Sequence, residues 1–256
     1  MDNNKNLLLE DAFNLAIKNH QENNLNDAQD LYNQVLKINP NHSGAYHNLG
    51  VIFDNLKKYQ KAKECYEKVI EINPNHSGAH THYNLGNIFQ KLKKSQKAKE
   101  CYEKAIEINP NHSGAHYNLG AIFDNLKRYQ KAKECYEKTI KINPNYLDAY
   151  NNLGNIFQKL KKSQKAKECY EKAIEINPNY IPAYNNLGAI FNVSGEYQKA
   201  KDCYEKAIKV NPNYTDARYN LGTIFDNLGE YRKAKECFEK VIEIDPNYTE
   251  SYWNLH

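Results

Sequence analysis

The chain has 256 residues, with 35 Lys and Arg against 31 Asp and Glu and a formal net charge of +4 at pH 7. Only 40% of residues are hydrophobic and the mean hydropathy is −0.89, below the roughly 45–50% apolar content of ordinary globular domains, so an elongated shape with much surface per residue is expected. No apolar run reaches the ~18 residues of a membrane span, Leu7-Leu8-Leu9 is too short for the core of a signal peptide, and the near-neutral charge leaves no strong nucleic-acid footprint.

Read in chain order, a tripeptide Asn-Pro-Asn or Asp-Pro-Asn recurs with its proline at Pro40, Pro74, Pro110, Pro144, Pro178, Pro212 and Pro246. The intervals are 34, 36, 34, 34, 34 and 34 residues, and the two-residue surplus lies in Ser77 to His82. A lead over 1–8 is therefore followed by seven units, 9–42, 43–76, 79–112, 113–146, 147–180, 181–214 and 215–248, and residues 249–256 begin an eighth. In the fifth unit Tyr150, Leu153, Gly154 and Phe157 share one helical face, a polar turn follows over 159–164, and Ala166, Tyr170, Ala173 and Ile174 form a second stripe. Pro178 ends the second helix, and Asn177 and Asn179 suit a turn. One such hairpin cannot bury both stripes alone, so neighbours must stack. Gly50, Gly86, Gly120, Gly154, Gly188 and Gly222 recur inside first helices at a cost of about 0.5–1 kcal/mol each. That cost is explained if the missing side chain lets the partner helix approach. Residues 84–111 and 152–179 are identical, which marks a two-unit duplication.

The order Tyr150, Leu153, Gly154, Phe157, Ala166, Tyr170, Ala173, Pro178 resembles the eight signature positions of the tetratricopeptide repeat, and the resemblance runs from about residue 9 to the end of the sequence. The first copy departs from it, with Ala12, Ala16 and Asn19 where later copies carry an aromatic, Gly and Phe. The resemblance implies an all-α, right-handed superhelical solenoid of stacked helix-turn-helix hairpins. A capping helix normally closes such an array, so 249–256 are expected either to continue into more chain or to leave an uncapped C-terminal end able to self-associate.

Cys65, Cys101, Cys135, Cys169, Cys203 and Cys237 hold one position per unit. Equivalent helices stack ~8–10 Å apart, too far for disulfides. Free thiols and the lack of a signal peptide point to a reducing, cytoplasmic setting. His76/His80 and His112/His116 have i, i+4 spacing, but they straddle the turn between units, and Tyr146, Tyr180 and Tyr214 replace His112 in later units. Packing or surface roles are expected, with no metal and no other cofactor. Lysines crowd the hairpin turns (Lys57, Lys58; Lys91, Lys93, Lys94; Lys159, Lys161, Lys162), and opposite charges such as Glu64 and Lys68 lace the second helices. A solvated edge is expected.

The strongest candidate site is an asparagine ladder, Asn48, Asn84, Asn118, Asn152, Asn186 and Asn220, each preceding the Leu-Gly of a first helix. The family resemblance places first helices around a concave groove, with this residue facing into it, as in the superhelical repeat region of O-linked N-acetylglucosamine transferases. An amide offers both donor and acceptor to a peptide backbone. One rung per ~10 Å matches about three residues of extended chain. Tyr83, Tyr117, Asn87 and Asn155 are expected beside the ladder, with Asn151, Asn185 and Tyr219 at the position before it. That surface lacks the lysines of chaperone-clamping repeats, and Arg218 is its one nearby arginine. The expected function is a non-enzymatic protein–protein interaction scaffold holding an extended peptide, with no catalytic residues. The alternative is the substrate-recruiting region of a larger enzyme such as a glycosyltransferase.

Overall fold

The Asn-Pro-Asn motif ends second helices by one mechanism. In the computed structural model, which describes residues 2–74 and 78–253 (side chains over 8–74 and 78–252), the first Asn of the motif turns extended just after the helix. Its side-chain oxygen then accepts the N–H two residues on: Asn39 from Asn41 at 3.0 Å, Asn143 from Asn145 at 3.1 Å, and Asn177 from Asn179 at 2.9 Å. Asp245 does the same for Asn247 at 3.0 Å, so Asp-Pro-Asn is a chemical equivalent. The proline between the two has no N–H to leave unpaired.

Among the described residues there are fifteen helices and no strand. They are α1 (Asp2–Gln21), α2 (Leu25–Ile38), α3 (Ser43–Asn55), α4 (Tyr59–Ile72), α5 (Ala79–Lys91), α6 (Ser95–Ile108), α7 (Ser113–Asn125), α8 (Tyr129–Ile142), α9 (Leu147–Lys159), α10 (Ser163–Ile176), α11 (Ile181–Val193), α12 (Tyr197–Val210), α13 (Thr215–Asn227), α14 (Tyr231–Ile244) and α15 (Thr249–Trp253). Residues 2–8, taken from the sequence as a lead, are continuous with α1. The chain divides into two compact units, Met1–Ile122 and Phe123–His256. In the first, α1/α2, α3/α4 and α5/α6 pair as hairpins and each hairpin packs on the next. In the second, α9/α10, α11/α12 and α13/α14 do so, with α8 against α9 and α15 against α14. The fold class is thus the all-α solenoid of stacked hairpins.

The core is built from small residues and one large ring per hairpin. Ala28, Ala62, Ala98, Ala132, Ala166 and Ala200 on the second helices are fully buried, and so are Tyr32, Tyr66, Tyr102, Tyr136, Tyr170 and Tyr204. The ring explains the mid-helix glycine. A Cβ on Gly50 would lie 2.7 Å from Tyr66 Cε1, and one on Gly86 2.6 Å from Tyr102 Cε1. The same ring lies against Gly154, Gly188 and Gly222. The expected close approach is therefore an aromatic ring of the same hairpin seated on a bare backbone.

The hairpin turns hold a feature that carried no signal in the sequence. Lys57, Lys93, Lys127 and Lys161 adopt left-handed φ of 56–58°, where the sixth and seventh units place Gly195 (76°) and Gly229 (73°). A left-handed L-residue costs roughly 1–2 kcal/mol, which glycine avoids. The predicted Glu64–Lys68 pair does not form. Glu64 accepts from Gln60 at 3.0 Å, while Lys68 reaches Glu71 at 2.7 Å, one turn toward the helix C-terminus.

Candidate functional site

The ladder residues follow from helix geometry. Each Asn stands one residue before the core Leu of its first helix and is half-buried. Three of them meet the signature tyrosine of the preceding hairpin. Asn48 Nδ2 donates to the Tyr32 hydroxyl at 3.0 Å, and Asn118 Nδ2 to the Tyr102 hydroxyl at 3.3 Å. Asn84 is hydrogen-bonded to Tyr66. The ring that fills the glycine notch thus carries its hydroxyl through to the first-helix face, where the next repeat's amide covers it.

Two rungs are reinforced by the residue one turn along. Tyr102 donates to Asn87 Oδ1 at 2.8 Å, and the same oxygen accepts from Asn118 Nδ2 at 2.9 Å. In the second unit Tyr170 donates to Asn155 Oδ1 at 2.7 Å, and that oxygen accepts from Asn186 Nδ2 at 3.2 Å. Val51, Ala121, Ala189 and Thr223 hold the equivalent position elsewhere, so Asn87 and Asn155, with their tyrosines, belong to the duplicated segments 84–111 and 152–179. Asn186 also donates to Asn151 Oδ1 at 2.9 Å, and Asn220 to Asn185 Oδ1 at 3.1 Å. Asn152 receives a long contact of 3.5 Å from Asn151.

The amide N–H groups of Asn48, Asn118, Asn186 and Asn220 are therefore committed inside the stack, joining each repeat to the one before. Among the described residues no donor reaches the Oδ1 of these four, which leaves each an acceptor on the first-helix face. Asn151, expected on the groove surface, is buried by its bond to Asn186. Tyr83 is half-buried, its ring 5.9 Å from Tyr102 and 4.6 Å from His112 between centroids, and Tyr117 is half-buried one residue before its rung. At the rim Lys91 pairs with Asp54 at 2.5 Å while lying over Tyr59, and Lys159 pairs with Asp124 at 2.6 Å over Tyr129. Two of the turn lysines are thus neutralised by the repeat before them. Arg218 donates to the Pro212 carbonyl at 2.9 Å, sealing a turn rather than projecting as a clamp.

The other candidates resolve into packing. None of the six cysteines is disulfide-bonded, and burial pushes Cys65, Cys101 and Cys169 up to about 12 and Cys203 to about 11. His42 and His112 accept the N–H of Ala45 and Ala115 at 3.1 Å, capping α3 and α7. His116 contacts the Pro110 carbonyl at 3.0 Å, so it does not converge with His112 on a shared ligand; His76 lies outside the described residues. Among the described residues no three His, Cys, Asp or Glu side chains form a metal-binding group, and no helix is long and apolar enough to cross a membrane.

Sequence reasoning missed the tyrosine hydroxyls. The available signal was Tyr rather than Phe at a fully buried position. Phe238 shows that a ring alone fills the notch in the last hairpin, so a hydroxyl in the others needs a partner.

Comparison with known proteins agrees with this architecture. The sequence profile of the tetratricopeptide repeat matches residues 43–76, 79–112, 113–146, 147–180, 181–214 and 215–248. No curated protein matches. Among solved structures, YrrB, described as a TPR protein with an unusual peptide-binding site, is 26% identical with a TM-score of 0.60, covering 75% of this chain and 98% of its own. The C-terminal part of a TPR repeat-containing protein from Cytophaga hutchinsonii is 21% identical with a TM-score of 0.74, covering 95% and 99%. PilF of Pseudomonas aeruginosa is 22% identical with a TM-score of 0.71, covering 82% and 95%.

Proposed function

Because this chain belongs to the tetratricopeptide repeat family, whose repeats make protein–protein interaction scaffolds, we propose that it is a non-enzymatic scaffold holding an extended segment of a partner protein on its first-helix face. The observation that carries this reading is the half-buried asparagines of each compact unit, Asn48 and Asn118 in the first and Asn186 and Asn220 in the second, whose N–H groups are tied inward and whose Oδ1 atoms are left to accept. A row of fixed acceptors at repeat spacing suits the N–H groups of an extended chain, whatever its side chains. Tyr83 and Tyr117 add apolar area beside it. The peptide-binding site named for YrrB, a relative of this repeat array, supports the same use. The matched structures named above give no support to a glycosyltransferase region.

The test is capture of partners by the wild type and by Asn118→Leu/Asn186→Leu. Leucine has nearly the shape of asparagine and removes the Oδ1 acceptor. Asn48→Leu/Asn220→Leu serves as a second pair. Partners lost from the variants, at unchanged helicity by circular dichroism, support the reading. Equal capture by the wild type and both pairs would remove the asparagines from recognition.

A further inference from the structure

Histidine is distributed unevenly along the chain. The first unit carries His20, His42, His47, His76, His80, His82, His112 and His116, whereas the second unit has Tyr146, Tyr180 and Tyr214 at the position of His112. Three of the imidazoles lie in a row across successive repeats. The rings of His80 and His112 are 5.0 Å apart at a tilt of 60°, and His47 Nδ1 touches Thr81 Oγ1 at 3.3 Å beside His80. His112 is 9% exposed. Its Nδ1 accepts the N–H of Ala115, so the neutral ring carries its proton on Nε2, which is buried without a hydrogen-bond partner among the described residues.

We propose that this row is an acid-sensitive catch in the first unit: a proton on His112 removes the cap from α7, places a charge among packed imidazoles, and loosens α5 and the start of α7. The cap fails because a proton on Nδ1 turns the acceptor of the Ala115 N–H into a second donor pointing at it. Among the described residues the groups facing His112 are His80 and Tyr83 on α5 and His116 on α7, with no carboxylate to compensate a new charge. Around His47 they are His80 on α5 and Tyr66 on α4, 5.6 Å away. Burial, and then the neighbouring imidazoles, hold His112 below its ordinary 6.5, and burial followed by His80 holds His47 below it. The unfolded chain therefore takes up protons at a higher pH than the folded unit. Stability is fully present above 6.5 and falls as pH drops through and below that value. A metal bridging His80 and His112 is disfavoured by the same geometry, since ligation through His112 Nε2 would leave the proton on Nδ1 and break the cap.

The test is hydrogen–deuterium exchange at pH 7.5 and 5.0, with each rate corrected for the intrinsic pH dependence. Protection in α5 and over 113–121 should thus fall at pH 5.0, while α11 to α14 change less than about twofold. The double variant His80→Gly/His112→Asn should keep its protection at pH 5.0, because Asn caps without titrating and Gly114 is the natural residue at the next equivalent of His80. If His112→Asn lowers protection already at pH 7.5, His112→Tyr, the residue of three later repeats, is read in its place. Unchanged wild-type protection at pH 5.0, an equal loss in both units, or a loss that persists in the variants would overturn the proposal.

Discussion

Gly86→Ala sets two well-characterised effects against each other. In an isolated helix the change gains about 1 kcal/mol. Here the new Cβ would lie 2.6 Å from Cε1 and 2.8 Å from Cδ1 of Tyr102. That ring cannot swing away, because it is fully buried and its hydroxyl donates to Asn87 at 2.8 Å and accepts from Asn118 at 3.3 Å. Overpacking costs about 1–3 kcal/mol, and pulling the hydroxyl off its partners adds about 1–3 kcal/mol for a polar group left unpaired. The net expectation is a loss of about 1–5 kcal/mol, or about 2–20 °C in Tm at 2–4 °C per kcal/mol for a chain of this size. Thermal unfolding followed by far-ultraviolet circular dichroism reads it directly. In a Tyr102→Leu background the same glycine change should cost at least about 1 kcal/mol less, because the obstacle is gone. A Gly86→Ala protein that melts above the wild type would show that propensity, not ring packing, governs this position.

Three further outcomes follow from the same structure. Lys161→Gly should raise stability by about 0.5–1 kcal/mol and Gly195→Lys should lower it by about 1 kcal/mol, since both positions sit in left-handed backbone; urea midpoints moving in the opposite directions would refute the turn geometry. Asn177→Asp should be near neutral, because Asp245 already performs that turn bond, whereas Asn177→Ala should lose about 1 kcal/mol in the same assay. Cys65, Cys101 and Cys169, raised to about 12 by burial, hold almost no thiolate at pH 8. An aromatic disulfide reagent should therefore label these three slowly in the native state and rapidly in urea, and rapid native labelling would contradict the burial assigned to them.

The period, the paired helices and the glycine notch were legible because each depends on residues within one hairpin. Glycine and tyrosine sit 16 residues apart in five copies, Gly86 and Tyr102 among them, with Ala16 replacing the glycine in the first and Phe238 the tyrosine in the seventh, so the repeat itself displays the pairing. What lies between hairpins was less legible. Asn118 was recognisable as a first-helix surface residue, but its amide is claimed by Asn87, 31 positions earlier, and by a tyrosine that the pattern marks only as apolar. Lys91 reads as one of a crowd of solvated lysines until Asp54, 37 positions away, is found opposite it. Lys161 gave no warning of its left-handed backbone, because glycine, the usual signal, appears at that turn only in the sixth and seventh units. Long-range partners decide these cases, and a 34-residue period alone does not name them.

The central claim, that partners lie on the first-helix face, is most directly tested by site-specific photocrosslinking. A benzophenone amino acid is placed at Tyr117 or Asn185 on first helices, or at exposed Glu100 or Glu168 on second helices. Each variant is irradiated in lysate, and crosslinked peptides are read by mass spectrometry. The account predicts that the same partner peptides crosslink from 117 and 185 and not from 100 and 168. Crosslinks confined to 100 and 168 would place recognition on the opposite helices and contradict it.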